Sequence, residues 1–303
     1  MIHLEENLVS CIIPTHNRSY LLKTALNSVI SQTYKNLEII IINDASKDNT
    51  EYVIKEYMKY DNRIKYHKNT INLGGSGARN AGINIAKGEF IAFLDDDDEW
   101  VNNKIESQLK HIDDCDALLC ASINKDTNKV ISYSKSKLDP NDLIKGNICG
   151  TSNLFARSSI IKDNLFDEKL PGGQDWDIYI RLATKYKLIY LREPLVVYNN
   201  GEHDRMTNIM INMSTDQFEK RMAVLYKHKA LLGPFWFNYH MARTLLSYFT
   251  YRKNKMEQLL YTIKKCGAFP VLRVFIHETI KKLNLLKLNE LFTEKISRAL
   301  KTD

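Results

Sequence analysis

The sequence predicts an α/β protein with a mainly parallel central sheet flanked by helices and a helical C-terminal extension. Three observations carry that expectation. Short β-branched runs alternate with stretches of helical period through the first hundred residues, the order of strand–helix–strand units. Three of those runs end in polar residues suited to a ligand crevice beyond the strand ends. From about Ser214 onward the period is helical throughout.

The elements follow in order. "LVSCIIP" (Leu8 to Pro14) is short, apolar and closed by proline, so it reads as a buried strand. Tyr20 to Gln32 places Leu21, Leu22, Ala25 and Val29 on one helical stripe. "LEIIIIND" (Leu37 to Asp44) is a second strand, and the helix after it has Ser46 and Asp48 as candidate N-caps. "RIKYHK" reads as a short strand. "GGSGARNAGINIAKG" (Gly74 to Gly88) reads as a glycine-rich loop entering a helix that Gly88 ends, and "EFIAFL" follows as a strand. Further on, a helix is expected over Asn102 to His111 and strands over Ala117 to Ile123 and Thr151 to Ala156. A helix over Gln174 to Tyr186 and two strands near Leu188 to Leu191 and Leu195 to Tyr198 complete the series. The expected domains are residues 1–213 and a basic helical extension, 214–303.

Composition narrows the class. The chain of 303 residues is 44% hydrophobic and 26% charged, ordinary for a globular protein. From Thr215 onward it carries 17 Lys and Arg against 7 Asp and Glu, whereas the remainder carries 26 against 29, so the basic character belongs to the C-terminal third. Five scattered cysteines without a paired spacing fit reduced thiols and a cytoplasmic setting. "MIHLEENLVS" has neither the basic start nor the apolar core of a secretion signal. The longest apolar candidate, Leu231 to Tyr251, is interrupted by Asn238, His240 and Arg243, which argues against a membrane span. No recognition element supports nucleic-acid binding.

The sharpest local signal is "GEFIAFLDDDDEW" (Gly88 to Trp100), where an apolar run ends in four carboxylates. Four aspartates in one small volume repel one another unless water or a cation screens them. An acidic turn in solvent and a site for Mg²⁺, Mn²⁺ or Ca²⁺ are the two explanations, since clustered carboxylate oxygens suit hard cations. Position favours the second. In a parallel sheet Thr15 to Arg18, Asp44 and Asp95 to Asp98 follow strands that end on one edge. A negative pocket beside a glycine-rich helix start suits a phosphate ligand escorted by a divalent cation.

The segments "VSCIIPTHNRSYLLKTALNSVISQTYKNLEIIIINDASKDNT", "NLGGSGARNAGINIAKGEFIAFLDDDDEW" and "GGQDWDIYIRL", in that order and spacing from about Val9 to Tyr198, resemble the family 2 glycosyltransferases of the GT-A fold. The resemblance implies that Asp44 recognises the nucleotide of a sugar donor, expected to be UDP-linked. It further implies that Pro14 and His16 pack against the base, with Arg18 and Arg79 close by. Asp95 or Asp96 would face the ribose and Asp97, with Asp95, an Mn²⁺ or Mg²⁺ ion; the extra aspartates leave the register open by one residue. Asp175 matches the catalytic base that deprotonates the acceptor hydroxyl during inversion. Gln174 departs from the family, which more often has glutamate there, and marks a change in acceptor contacts. One rival expectation, a sugar-phosphate nucleotidyltransferase, needs a glycine-rich basic loop after the first strand, and "PTHNRSY" is not one; the other, a non-catalytic sugar-nucleotide-binding protein, would be excluded by donor hydrolysis.

Three features keep two readings each. His203 either reaches back as a metal or diphosphate ligand or is a solvated loop residue. Trp100 and Trp176 either stack on sugar faces or pack against neighbouring helices. The lysine- and aromatic-rich extension either covers the catalytic domain or lies on an anionic membrane face, where the family's acceptors, often lipid-linked saccharides, reside.

Overall fold

Glu5–Thr15 forms β1, around which the sheet is laid, in a computed structural model that describes residues 5–199, 219–247, 249 and 254–279. Parallel neighbours flank it: β2 (Leu37–Asn43) on one side and β4 (Gly88–Phe93) on the other, with β3 (Ile64–Lys68) beyond β2. Parallel pairing demands crossovers, which α1 (Ser19–Ile30), α2 (Thr50–Met58) and α3 (Gly74–Ile85) supply. Helices on both faces explain why β2 is buried at every position. Val9, Cys11, Ile13, Ile39 and Ile41 share one apolar cluster with Leu22, Leu26 and Val29 of α1. On the other face, α3 approaches so closely that a Cβ at Gly82 would lie 2.5 Å from Ile12 Cγ2. Only glycine fits there.

The other half of the sheet is mixed. β9 (Phe155–Arg157) is wedged antiparallel between β4 and β6 (Ala117–Asn124), and β10 (Leu188–Tyr198) runs parallel to β6. Three two-residue strands, β5 (Glu99–Trp100), β7 (Val130–Ile131) and β8 (Lys137–Leu138), add antiparallel edges. The strand order is β3-β2-β1-β4-β9-β6-β10-β5. Parallel pairing thus holds for the half that precedes Asp95 and for β6 with β10, while β9 reverses because it is a short insertion between two strands that run the same way.

Local differences from expectation have local causes. The segment 151–156 is a 3-10 turn (Thr151–Asn153) followed by β9. The two strands expected after Leu188 are one, with its register against β6 shifting around Pro194, which has no amide hydrogen to donate. α2 begins only at Thr50, because Asp48 accepts from the amides of both Thr50 and Ser19 and so serves the starts of two helices. The glycine segment is helical from Gly74, and α3 stops at Ile85, before Gly88 opens β4. α4 (Lys104–Leu109), α5 (Pro140–Leu143), α6 (Ser158–Asp163) and α7 (Gln174–Lys185) complete this part.

The chain divides into two compact units, Met1–His203 and Asp204–Asp303. The expected boundary at residues 213 and 214 lies outside the described residues. Described helices of the second unit are α8 (Ala223–Lys227), α9 (Lys229–Leu245) and α10 (Lys255–Cys266), followed by helical backbone over 268–279. α9 bends at Gly233-Pro234, where Gly233 has φ +67°. Among the described residues no helix is long and apolar enough to cross a membrane.

Candidate functional site

The parallel arrangement brings the ends of β1, β2 and β4 to one edge. Asn17 and Ala45, just beyond β1 and β2, have φ of +53° and +57°, a conformation uncommon for residues with a Cβ. Each turns the chain sharply at the strand end. His16 Nδ1 lies 2.5 Å from the Asp44 carbonyl oxygen, fastening these two turns together, and Pro14 is half-buried just before them.

Asp44 is buried and occupied. One carboxylate oxygen accepts from Asn69 Nδ2 at 2.8 Å and from the Leu73 amide at 2.9 Å, and the other accepts from the Gly74 amide at 2.8 Å. It therefore sits at the positive end of α3 and fixes where the glycine-rich helix begins. A carboxylate with two oxygens retains acceptor capacity beyond three such bonds.

The four aspartates separate into different surroundings. Arg79 of α3 donates to Asp95. Asp96 is buried and accepts from Arg18 Nη1 at 3.0 Å; burial pushes its carboxyl up to about 6 against the pull of Arg18. Asp97 Oδ2 is 3.6 Å from the same guanidinium nitrogen. Ser152, fully buried, accepts from the Asp95 amide and donates to Asp98 Oδ2 at 2.7 Å, so one hydroxyl pins both ends of the run. One oxygen each from Asp95, Asp97 and Asp98 lies within 4.8 Å of the others. Asp96 is outside that set, engaged with Arg18. Three convergent carboxylates are the donor set that a hard divalent cation takes.

α3 supplies two further groups. Arg79 is buried, its guanidinium carbon 5.5 Å from the Phe166 ring centroid, and among the described residues its Nε has no hydrogen-bond partner. Ser76 Oγ, one turn earlier, is also buried without one. Unsatisfied buried polar atoms are rare, and two on one helix start point to a ligand that completes them.

Asp175 lies in the first turn of α7. Its Oδ1 accepts from the Trp176 amide at 2.9 Å and its Oδ2 from Asn147 Nδ2 at 2.6 Å. Burial pushes this carboxyl above the usual carboxylate range, and nearby Asp95 adds to the rise. The two hydrogen bonds and the Arg79 charge oppose it. Asp177, two residues on, is fully buried and accepts from Arg181 Nε at 2.9 Å. Gln174 donates to the Leu170 carbonyl, and a Cβ at Gly75 would meet both its Oε1, at 3.6 Å, and Arg79 Nη1, at 2.9 Å. The start of α7, the start of α3 and the acidic run therefore converge.

The structure redirects both tryptophans. Trp100 is buried, its indole donating to the Ser152 carbonyl at 3.2 Å while Lys104 Nζ lies 4.3 Å from the ring centroid. Trp176 is buried with its indole donating to the Leu143 carbonyl at 2.7 Å. Both rings are taken by the interior, so neither offers a face to a sugar. His203 lies outside the described residues. Asn147, Asn69 and Ser152 were not singled out from sequence. Each is an ordinary polar residue in an aperiodic segment, legible only through its partner.

The fold and this crevice define a nucleotide-sugar transferase scaffold. Residues 10–166 match the family described as Glycosyl transferase family 2, and the chain belongs to that family. It is 30% identical over 208 residues to the GalNAc(5)-diNAcBac-PP-undecaprenol beta-1,3-glucosyltransferase of Campylobacter jejuni, across 66% of this chain and 67% of that protein. Among solved structures it is similar to S. aureus TarS 1-349 in complex with UDP-GlcNAc, with a TM-score of 0.61 and 17% identity over 90% of this chain and 91% of that one. It is similar also to the mannosyltransferase PcManGT of Pyrobaculum calidifontis in complex with GDP-Man and Mn²⁺, at 0.60 and 18% identity over 91% and 80%. The protein is a glycosyltransferase of the GT-A fold.

Proposed function

We propose that the protein transfers a sugar from a UDP-sugar to a hydroxyl of a lipid-linked saccharide, with inversion, in surface polysaccharide assembly at the cytoplasmic face of a membrane. The observation that carries this reading is the convergence of one positioned carboxylate, Asp175, with Arg79 and the acidic run. The acceptor hydroxyl must lose its proton as it attacks, and Asp175 is the group placed to take it. Asp177 is bound to Arg181 and Asp95, Asp97 and Asp98 belong to the acidic cluster, which supports Asp175 as the single base. A single displacement follows.

On the donor side, Pro14, His16, Arg18 and Asp44 would form the nucleotide pocket, with Asp95 facing the ribose and Asp96 holding Arg18 in place. Arg79 would meet the diphosphate. Asp97, Asp95 and Asp98 would hold Mn²⁺ or Mg²⁺, with His203 a further candidate ligand. Such an ion offsets the charge that develops on the leaving diphosphate. UDP as the nucleotide is supported by the UDP-GlcNAc complex of TarS, and a lipid-linked acceptor by the name of the Campylobacter relative. A cytoplasmic setting is supported by five unpaired cysteines. The catalytic domain would comprise residues 1–213, and residues 214–303 would form an extension at the membrane surface.

Incubation with a panel of UDP-, GDP- and dTDP-sugars, with Mn²⁺ or Mg²⁺ and an undecaprenyl-diphosphate saccharide, tests the reading. Release of UDP that depends on the acceptor and disappears in Asp175→Asn is the expected result. Transfer from another nucleotide-sugar alone would overturn the donor assignment, and undiminished transfer by Asp175→Asn the base.

A further inference from the structure

We propose that the second unit docks on an anionic lipid surface through the solvent faces of α10 and the helix over 268–279; the proposal rests on the reading of a lipid-linked acceptor. α10 is inside out. Its buried stripe is Gln258, Thr262 and Cys266, at 8%, 0% and 4% exposure, one turn apart along one side. Gln258 donates to the Leu245 carbonyl of α9, and Thr262 to the Gln258 carbonyl, so the polar side is satisfied inside. Met256 and Leu260, on the opposite stripe, are 67% and 60% exposed. A helix that packs polar atoms inward and turns large apolar side chains outward has a reason outside its own fold.

The next helix, after a one-residue break at Gly267 (φ +85°), also turns large apolar side chains outward, although its buried side is apolar. Val271 and Val274 are buried, whereas Phe269 and Leu272 are 66% and 56% exposed and share a face with Ile276. The Phe269 ring lies 5.9 Å from that of Phe235, itself exposed at the start of α9 beside the Gly233-Pro234 bend. The cations interleave with this apolar surface. Lys264 follows Leu260 by one turn and Arg273 falls on the Phe269–Ile276 face, both exposed. The segment from Thr215 carries 17 Lys and Arg against 7 Asp and Glu.

Charge selects the occupant. A protein partner or a second copy of this chain would meet the apolar stripes, but an array of lysines and arginines among aromatics complements phosphate headgroups above an acyl layer. A lipid-linked saccharide is presented at such a surface. Docking there would hold the enzyme where its acceptor lies.

The experiment uses the full chain with equimolar phosphatidylglycerol–phosphatidylcholine vesicles and with pure phosphatidylcholine as control. Sedimentation should favour the anionic vesicles and weaken as salt shortens the screening length below about 8 Å. Each basic residue near an anionic surface contributes about fivefold in partition. Lys264→Glu/Arg273→Glu should therefore lower binding by about twentyfold or more, and Phe269→Ser/Leu272→Ser should lower it to both vesicle types. Release of UDP from a UDP-sugar and the far-ultraviolet circular dichroism melting curve should be unchanged in both variants, which shows that both units fold. The proposal is overturned by equal binding to both vesicles at all salt concentrations, or by anionic binding that neither variant reduces. It is also overturned by a wild-type dimer that Phe269→Ser/Leu272→Ser dissolves, since a second copy would then cover this face. Failure of vesicle binding with UDP release intact removes only this inference, whereas absence of UDP release counts against the enzymatic reading.

Discussion

One helix from each unit of the chain shows the two buried faces to be opposite in character. In the first, α1 sets Leu22, Ala25, Leu26 and Val29 against β1 and β2, as its helical period requires. In the second, α10 sets Gln258, Thr262 and Cys266 inward and leaves Met256 and Leu260 in solvent. Some of the buried polar residues of the first unit gather around chemistry: Asp44, Asp96, Asp98, Arg79 and Ser76 are buried at the sheet edge where β1, β2 and β4 end. One unit is folded around a reaction and spends its unfavourable burials on a ligand. The other turns its unfavourable exposure outward, toward something it meets.

The largest effect expected from that contrast is at the metal. Chelation should abolish transfer and Mn²⁺ or Mg²⁺ should restore it, while changes confined to α10 leave the metal titration untouched. Asp97→Ala should remove transfer with the far-ultraviolet circular dichroism retained. Full activity in excess chelator would mean that Asp95, Asp97 and Asp98 gather for another reason.

The next effect is at Asp175. Asp175→Asn keeps the shape and the acceptor for the Trp176 amide, while Asn147 must turn its amide oxygen toward the new Nδ2; the base is removed, so transfer should fall by about 10²- to 10⁴-fold with UDP affinity unchanged. Burial raises the pKa of this carboxyl, and the base must be ionised. The acid limb of kcat should therefore lie above the ordinary carboxylate value of about 3.9. The sign for stability is opposite. Between the ordinary and the raised value the folded state binds more protons than the unfolded one, so ionising Asp175 costs stability as pH rises through that window. Asp175→Asn should flatten both profiles. A kcat profile unchanged in shape and height would remove Asp175 from the base role.

Much of the first unit was legible because parallel α/β architecture writes each part into the sequence. "LEIIIIND" could be little but a buried strand, and the polar residues that end β1, β2 and β4 had to share an edge once the strands were parallel. The one-residue register within Asp95 to Asp98 was not legible. It depends on Arg18 and Ser152, which lie far away in sequence and select Asp96 and Asp98. The tryptophans kept two readings for a related reason, since an indole beside an acid serves a sugar or a core equally well until its ring nitrogen is seen to have a partner. Asn147 had no local signal whatever.

A smaller effect distinguishes Asp177 from its neighbour. Asp177 is buried and bound to Arg181, so Asp177→Asn should act on the fold rather than on the chemistry. A weakened charge-assisted hydrogen bond of this kind costs about 1–3 kcal/mol. Urea denaturation should show the loss, with kcat within about threefold of the parent at a temperature where both are folded. A fall in kcat matching that of Asp175→Asn would mean that the two carboxylates act together and that single displacement by one base is too simple.

The smallest effect is expected where an ordinary helix would show a large one. Leu26 and Leu260 are the same residue type on helices of two units, yet Leu26 is fully buried and Leu260 mostly exposed. Leu26→Ala should destabilise the first unit by about 2–5 kcal/mol through lost burial and the cavity left behind. Leu260→Gln removes an apolar side chain from water and keeps a good helix former, so the folded chain loses no internal contact of comparable size. Its stability should stay within about 0.5 kcal/mol of the parent, measured by denaturant midpoint from far-ultraviolet circular dichroism. A loss as large as that of Leu26→Ala would show that Leu260 is covered within the folded protein. The outward face of α10 would then be an internal contact, and the difference between the two units would disappear.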